Sequence, residues 1–395
     1  MRGIVVPDRQ EDFAADPVEL FFDLAFVFAF SQLVGLLIHD PTWGGVGRQA
    51  LLFGLLWLPW TQFTWSANAI SGNGRPVRIL FLLATAISIP MAAAVGTALD
   101  HGGTVFAVSL SIILALALGM MTLSLERDSS EFASAWKYTI PNIVTMVILI
   151  AGSFVDGDGR IVLWMVAFGV VLVGTVFAGR GDWIIRPGHF AERHALILIV
   201  ALGEVIVAIG VPVVRALEEG PGVPGSTVAA LVAAGAFAGL LWWAYFDRPQ
   251  PALEHYAEGL PAAERGRFVR DVYTYAHAPL VAGIVLSAAA LEEITLHPTD
   301  PLPLAFRMML FGGLALSVVG VASSIARTFG VIAKERVVAM GILLTLTLVS
   351  GSWDGVVLLI AVDVAILAAL VVEHLRIERP SATSRFRAPR AADKS

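Results

Sequence analysis

"HFAERHALILIVALGEVIVAIG", from His189 to Gly210, is the stretch that decides how this chain folds. His189, Glu192, Arg193 and His194 crowd its first six residues, and the apolar run that follows is broken only by Glu204. About twenty apolar residues in helix cross a hydrocarbon core of roughly 30 Å, so the run is long enough to enter lipid. An unpaired carboxylate at the centre of such a helix costs about 2.5–3.5 kcal/mol on insertion scales, which drives it toward a bundle interior. The segment therefore reads as a membrane helix with a charged entrance and a buried acid.

The rest of the chain agrees. Of its 395 residues 57% are hydrophobic and 15% charged, whereas a soluble domain is nearer half apolar and a quarter charged. Twelve spans can be drawn, at 18–38, 48–70, 77–99, 104–125, 137–155, 160–179, 191–214, 227–246, 271–291, 304–326, 331–350 and 354–375. Turn-forming clusters separate them, such as "DPTWGG" from Asp40, "SGNGRP" from Ser71 and "EEGPGVPG" from Glu218. Each span must satisfy its own backbone in lipid, which predicts helices. The lengths exceed those of barrel strands and lack their alternation. The expected fold is an all-α integral membrane protein of about twelve transmembrane helices. The loop from Arg248 to Arg270 is expected to hold a short surface helix. The first sixteen residues are polar and acidic, unlike a cleavable signal. With no cysteine in the chain, disulfides, thiolate chemistry and Cys-ligated metals are excluded.

Basic residues fix an orientation. With the N-terminus cytoplasmic, that side holds 22 Lys and Arg residues, and the opposite side keeps Arg48, Arg160, Arg215 and Arg307. Such a bias follows the positive-inside rule and places both termini in the cytoplasm. Trp43, Trp183 and Trp353 lie near span ends, where interfacial indoles are expected.

The chain also looks duplicated. Glu19–Leu33 aligns without gaps on Glu192–Ile206, which sets Ser31 and Gln32 against Glu204 and Val205. "LLWLPWTQFTW" from Leu55 matches "LLWWAYFD" from Leu240 in kind, and "RPVR" at Arg75 matches "RFVR" at Arg267. The expected organisation is two six-helix repeats of the same orientation, 1–180 and 181–377, and a basic disordered tail, 378–395.

Several ionisable residues could carry chemistry. In "DPVELFFDL", Asp16, Pro17 and Glu19 form a capping-box pattern, so Glu19 has a structural reading beside a functional one. Asp23 lies one turn deeper on the same face and needs a partner. Glu192 is the equivalent of Glu19 and could also serve a helix start. Arg193 can reach Asp23 or Glu19 and form a charge pair between the first and seventh spans, or it can act as a plain cytoplasmic anchor. Glu204 lies twelve residues past Glu192, roughly 18 Å along a helix and close to mid-membrane. There it is either protonated or ionised beside a cation or water, with Ser31 and Gln32 as its facing groups. His189 and His194 belong to the entrance cluster; His277, with Tyr273, could join a proton relay, and Asp363 is as deep as Asp23. The Trp57, Trp60, Trp65, Trp242 and Trp243 groups suit packing or the interface better than ligand binding.

"PVELFFDLAFVFAFSQL" and "HFAERHALILIVALGE" resemble the signatures of the bacterial low temperature requirement A (LtrA) family, and the likeness extends over most of the chain. Ala195 departs from the Gly found in many members, which loosens helix approach. The resemblance implies an integral membrane protein linked to growth at low temperature and brings no substrate or reaction. It marks Glu19, Asp23, His189, Glu192, Arg193, His194 and Glu204 as its polar positions.

Three functions compete. Paired halves with buried carboxylates suit a secondary transporter coupled to H⁺ or a monovalent cation, needing no other cofactor. Its partners would be the bilayer and a small-molecule or ion substrate, with no nucleic acid and with self-association left open. A scaffold or sensor in cold adaptation fits the family association. A metal-dependent membrane enzyme could gather His189, Glu192, His194 and Asp23, but HExxH and GxxxxGK[ST] are absent and Arg193 sits among those ligands.

Overall fold

The computed structural model describes residues 15–377 apart from 71–73, 124, 126–127, 179–182 and 220–221. The expected basic tail and nearly all of the first sixteen residues lie outside them. The first half comprises α1 (Pro17–His39), α2 (Trp43–Ala69), α3 (Arg75–Ala93), α4 (Gly103–Leu123), α5 (Ser130–Ser153) and α6 (Asp158–Ala178). α7 (Pro187–Glu219) and α8 (Gly225–Phe246) are followed by two short helices, α9 (Pro249–Gly259) and α10 (Ala262–Val269), in the expected surface loop. A π-helical turn, Arg270–Tyr275, joins α10 to α11 (Ala276–Leu296). The chain ends in α12 (Leu304–Phe329), α13 (Lys334–Val349) and α14 (Gly355–Ile377).

Twelve long helices thus coincide with the twelve spans. Among the described residues, ten helical stretches are long and apolar enough to cross a membrane. α2 and α13 are the exceptions, for different reasons. α13 has only 16 residues. α2 has 27 but carries Gln49, Thr61, Gln62, Thr64, Ser66 and Asn68, all buried. Protein rather than lipid surrounds that helix, so its apolarity can fall without exposing polar groups to hydrocarbon.

The local starts follow the sequence. Asp16 caps α1: its side chain accepts from the Val18 amide at 3.1 Å, Glu19 accepts from the Asp16 amide at 3.1 Å, and Pro17 takes the first helical position. Large apolar side chains point outward on α5 and α6 (Ile140, Val147, Val162, Phe177) and on α13 and α14 (Val338, Leu348, Val364, Val372), as lipid contact requires.

α1 and α7 pack against each other at the centre. α3 lies on α1 and α11 on α7, while α5–α6 and α13–α14 form outer pairs. α11 and α12 approach most closely at Gly283 and Gly313: a Cβ on Gly283 would stand 2.3 Å from the Gly313 carbonyl oxygen. Small residues let helix backbones meet where no hydrophobic drive operates between them.

Candidate functional site

The seam between α1 and α7 carries its polar groups in two layers. The first lies near the starts of both helices. Asp23 and Arg193 form a bidentate pair, with both Nη–Oδ distances 2.9 Å. The indole Nε1 of Trp60, on α2, donates to the same carboxylate at 2.8 Å. Arg193 Nε stands 3.4 Å from Glu19, and His189 Nε2 donates to Glu19 at 3.1 Å. Asp23, Glu19, Arg193 and His189 are all at most 1% exposed. Charges this deep persist only when opposite charges and hydrogen bonds replace their water. Here one guanidinium spans two carboxylates, and its planar fork matches Asp23.

Asn68 holds this layer from behind. It donates to the Arg186 carbonyl at 3.0 Å, accepts from the Arg186 amide at 3.1 Å and reaches His189 Nδ1 at 3.4 Å. With Asn68 donating to Nδ1, the Nε2 proton faces Glu19. The end of α2 is thereby tied to the start of α7.

The second layer lies eight residues further along α1, roughly 12 Å deeper. Ser31 donates to Glu204 Oε2 at 2.5 Å. Glu204 is 1% exposed. Glu292, half-buried on α11, lies within electrostatic reach of it. Between the layers α1 and α7 bury Phe26, Phe30, Ile197, Leu198 and Ala201. An apolar plug thus separates the two.

Not every sequence candidate joins these layers. Gln32 turns away from Glu204: its Oε1 lies 3.6 Å from where a Cβ on Gly96 would stand. Ser31 alone of the two facing groups bonds Glu204. Glu192 caps no helix start of its own, because α7 begins five residues earlier, at Pro187; it accepts from the Ala15 amide at 2.6 Å instead. His194 turns from the carboxylates into a ring cluster, with centroids 4.9 Å from Trp60, 5.2 Å from Tyr273 and 5.1 Å from His277. His194 Nδ1 donates to the Phe190 carbonyl at 2.8 Å. His277 Nδ1 donates to the Val272 carbonyl at 2.8 Å, and Tyr245 Oη lies 2.6 Å from His277 Nε2. Asp363 is distant from both layers in sequence and sits on α14, 9% exposed.

The π-helical turn explains part of the ring cluster. Pro279, inside α11, cannot donate to the turn before it. Side chains take up carbonyls of the widened turn: His277 that of Val272, and Trp57 Nε1 that of Thr274 at 3.0 Å. Trp65 Nε1 also donates to the Thr274 hydroxyl at 3.0 Å. The α2 tryptophans are therefore internal donors, while Trp242 and Trp243 remain half exposed.

Sequence reasoning missed Trp60, Asn68, Arg186 and Glu292. Polar groups inside α2, a helix otherwise built for burial, were the available signal for the first two. The residues considered for a metal do not converge. Among the described residues no group of three or more His, Cys, Asp or Glu could hold one.

The model of the family described as "Bacterial low temperature requirement A protein (LtrA)" matches residues 14–372. An uncharacterized protein of Rhizobium meliloti (strain 1021) is 30% identical over 312 residues, covering 76% of this chain and 75% of that one. No solved structure matches.

Proposed function

The chain belongs to the bacterial low temperature requirement A family of multi-pass membrane proteins, and from that premise we propose that it is a secondary transporter coupled to protons or a monovalent cation. The observation that carries this reading is the buried seam, where Glu204 and the Asp23–Arg193–Glu19–His189 network join α1 to α7.

The proposal includes two halves related by an axis along the membrane normal. Glu19 aligns with Glu192 at an offset of 173 residues, and that same offset separates Ser31 from Glu204, the two residues in contact. Equivalent positions meet only close to a symmetry axis, which supports running that axis through the α1–α7 seam. The packing partners recur as well: α3 on α1 and α11 on α7, α6 beside α2 and α14 beside α8. In this reading the basic ends of α1 and α7 face the cytoplasm of a bacterial inner membrane.

The mechanism divides between the layers. Glu204 is the proton or cation carrier, since it has one neutral partner and can change charge without stranding another ion. The Arg193 network is the lock that closes the cytoplasmic side, with His189 fastened to Glu19. The plug between them isolates the carrier in this closed form. Transport requires the plug and one layer to open while the other holds, the ordinary logic of alternating access. A second reading, a non-transporting scaffold or bilayer sensor, draws on the same closure of Glu204 by Ser31.

The test is reconstitution of the full chain into vesicles loaded with a pH-sensitive dye. Wild type is expected to move protons above protein-free background and Glu204→Gln to lose that movement while eluting as a single folded species. Asp23→Asn reports on the lock. Background rates in all three, with folding intact, would leave the scaffold reading in place of transport.

A further inference from the structure

α5 and α6, the outer pair of the first half, leave a groove of about 750 Å³ between them. Two glycines shape it. A Cβ on Gly174 would stand 2.6 Å from Pro141 Cβ, so the helices touch there, whereas a Cβ on Gly169 would meet nothing within 4 Å. The walls include Ile140, Val166 and Val173, all turned outward. Toward the bilayer centre the two helices are stitched: the Thr145 hydroxyl donates to the Ala167 carbonyl at 3.1 Å and Trp164 Nε1 to the Leu149 carbonyl at 3.1 Å. On α6 the groove runs from Val166 to Phe177, roughly 17 Å at 1.5 Å per residue. That is close to half of a hydrocarbon core of roughly 30 Å, the depth of one leaflet. A second membrane helix would need the whole thickness, while an acyl chain needs half.

The chemistry of the mouth selects the lipid. Lys137 is the one charged side chain among the described lining residues, and no acid lies in the lining with it. It is exposed and makes no ion pair among the described residues. Phe132 and the exposed Trp136, ring centroids 6.2 Å apart, lie beside it on α5, as aromatic residues do at headgroup depth. Pro141, one turn further, has no N–H to return to the Lys137 carbonyl. Around this kink Thr139 bonds the Ala135 carbonyl and Asn142 that of Tyr138, both at 2.8 Å, but among the described residues no side chain takes that of Lys137. An unpaired ammonium and a freed carbonyl thus stand together at the end of an apolar groove.

We propose that this groove binds one anionic phospholipid, with an acyl chain laid over Gly169, the phosphate on Lys137 and a headgroup hydroxyl on the Lys137 carbonyl. The distribution of basic residues puts the site in the cytoplasmic leaflet. It stands apart from the transporter reading, since a scaffold would hold the same lipid.

The test is native mass spectrometry of the full chain in mild detergent, with phosphatidylglycerol and phosphatidylcholine of identical acyl chains added in equal amounts. Wild type is expected to retain one phosphatidylglycerol over phosphatidylcholine by about fivefold, which is what one basic side chain supplies near an anionic surface. Lys137→Gln should retain the two equally. Gly169→Trp places a ring where a Cβ meets nothing and should retain neither; Gly169→Leu is the smaller filling should the indole disturb folding, which elution as a single species checks. Lys334→Gln, at the start of α13 and outside the groove, should keep the wild-type preference. The proposal is overturned by equal retention in wild type or by an undiminished preference in Lys137→Gln. It is equally overturned by wild-type retention in both folded Gly169 variants, by a preference lost in Lys334→Gln as well, or by a dimer that holds no lipid. Proton flux in vesicles plays no part in these outcomes, so the lipid site and the transporter stand or fall separately.

Discussion

Near the start of the α1–α7 seam, Asp23 and Glu19 receive hydrogen bonds from five donor atoms of Arg193, Trp60, His189 and the Asp16 amide, with Arg193 Nε in ion-pair contact besides, whereas deeper in the same seam Glu204 receives one, from Ser31. Both places bury a carboxylate almost completely. They differ in what would happen if the charge were removed. In the first layer every charge is the reason another is tolerated, so no member can be neutralised alone. In the second, the partner is a hydroxyl, which can donate to a carboxylate and can also pair with a carboxylic acid. Dense satisfaction suits a fastening; sparse satisfaction suits a group that changes state.

The sharpest way to break this comparison is to remove Arg193. Arg193→Met is expected to lower stability by about 3–5 kcal/mol, because Asp23 and Glu19 are left as uncompensated buried charges. Thermal unfolding of the detergent-solubilised full chain measures it. Adding Asp23→Asn to Arg193→Met should recover part of that loss, since neighbours in one network are non-additive. Losses that simply sum would show that the pair is not a coupled unit.

A smaller effect is expected at Trp60. Trp60→Phe keeps an aromatic ring against His194 and removes the Nε1 donor to Asp23. A hydrogen bond to a charged group contributes about 1.5–3 kcal/mol, so the loss should fall in that range. The deeper layer should respond less again. Ser31→Ala is expected to cost about 1 kcal/mol, the ordinary value for one hydrogen bond, and Glu204→Gln a similar amount or less in the same unfolding assay. If Ser31→Ala proved as damaging as Trp60→Phe, the two layers would not differ in kind.

The spans and the Arg193–Asp23 pair were legible in the sequence because lipid leaves few options. A helix must run unbroken, and a buried carboxylate must find a cation. The spacing also marked Ser31 against Glu204 through the offset of 173, though Gln32 looked equally suitable until α1 was seen to rotate it toward Gly96. Trp60 and Asn68 were not legible as partners. An indole in an apolar helix signals packing, and only the rotation of α2 against α1 and α7 turns its N–H toward Asp23. Glu292 was not legible either, because nothing in its own segment reveals that α11 runs beside α7 and brings it near Glu204.

Asp363 extends the comparison to the outer helices and carries the smallest predicted effect, of opposite sign. It lies on α14, which packs against α8, α11 and α13. Its Oδ1 has no partner among the described residues. The face of α8 is built from small apolar residues, Ala230, Ala233 and Ala234 among them. Removing a partnered charge strands its mate, but removing an unpartnered one strands nothing. Asp363→Leu should therefore be neutral or stabilising by up to about 1 kcal/mol, as exchange of an unsatisfied polar group for an apolar one of similar size allows. A loss comparable with that of Trp60→Phe would mean that Asp363 is held by a partner beyond those described, and the contrast between densely and sparsely bonded carboxylates would then have to admit a third place in the second half of the chain.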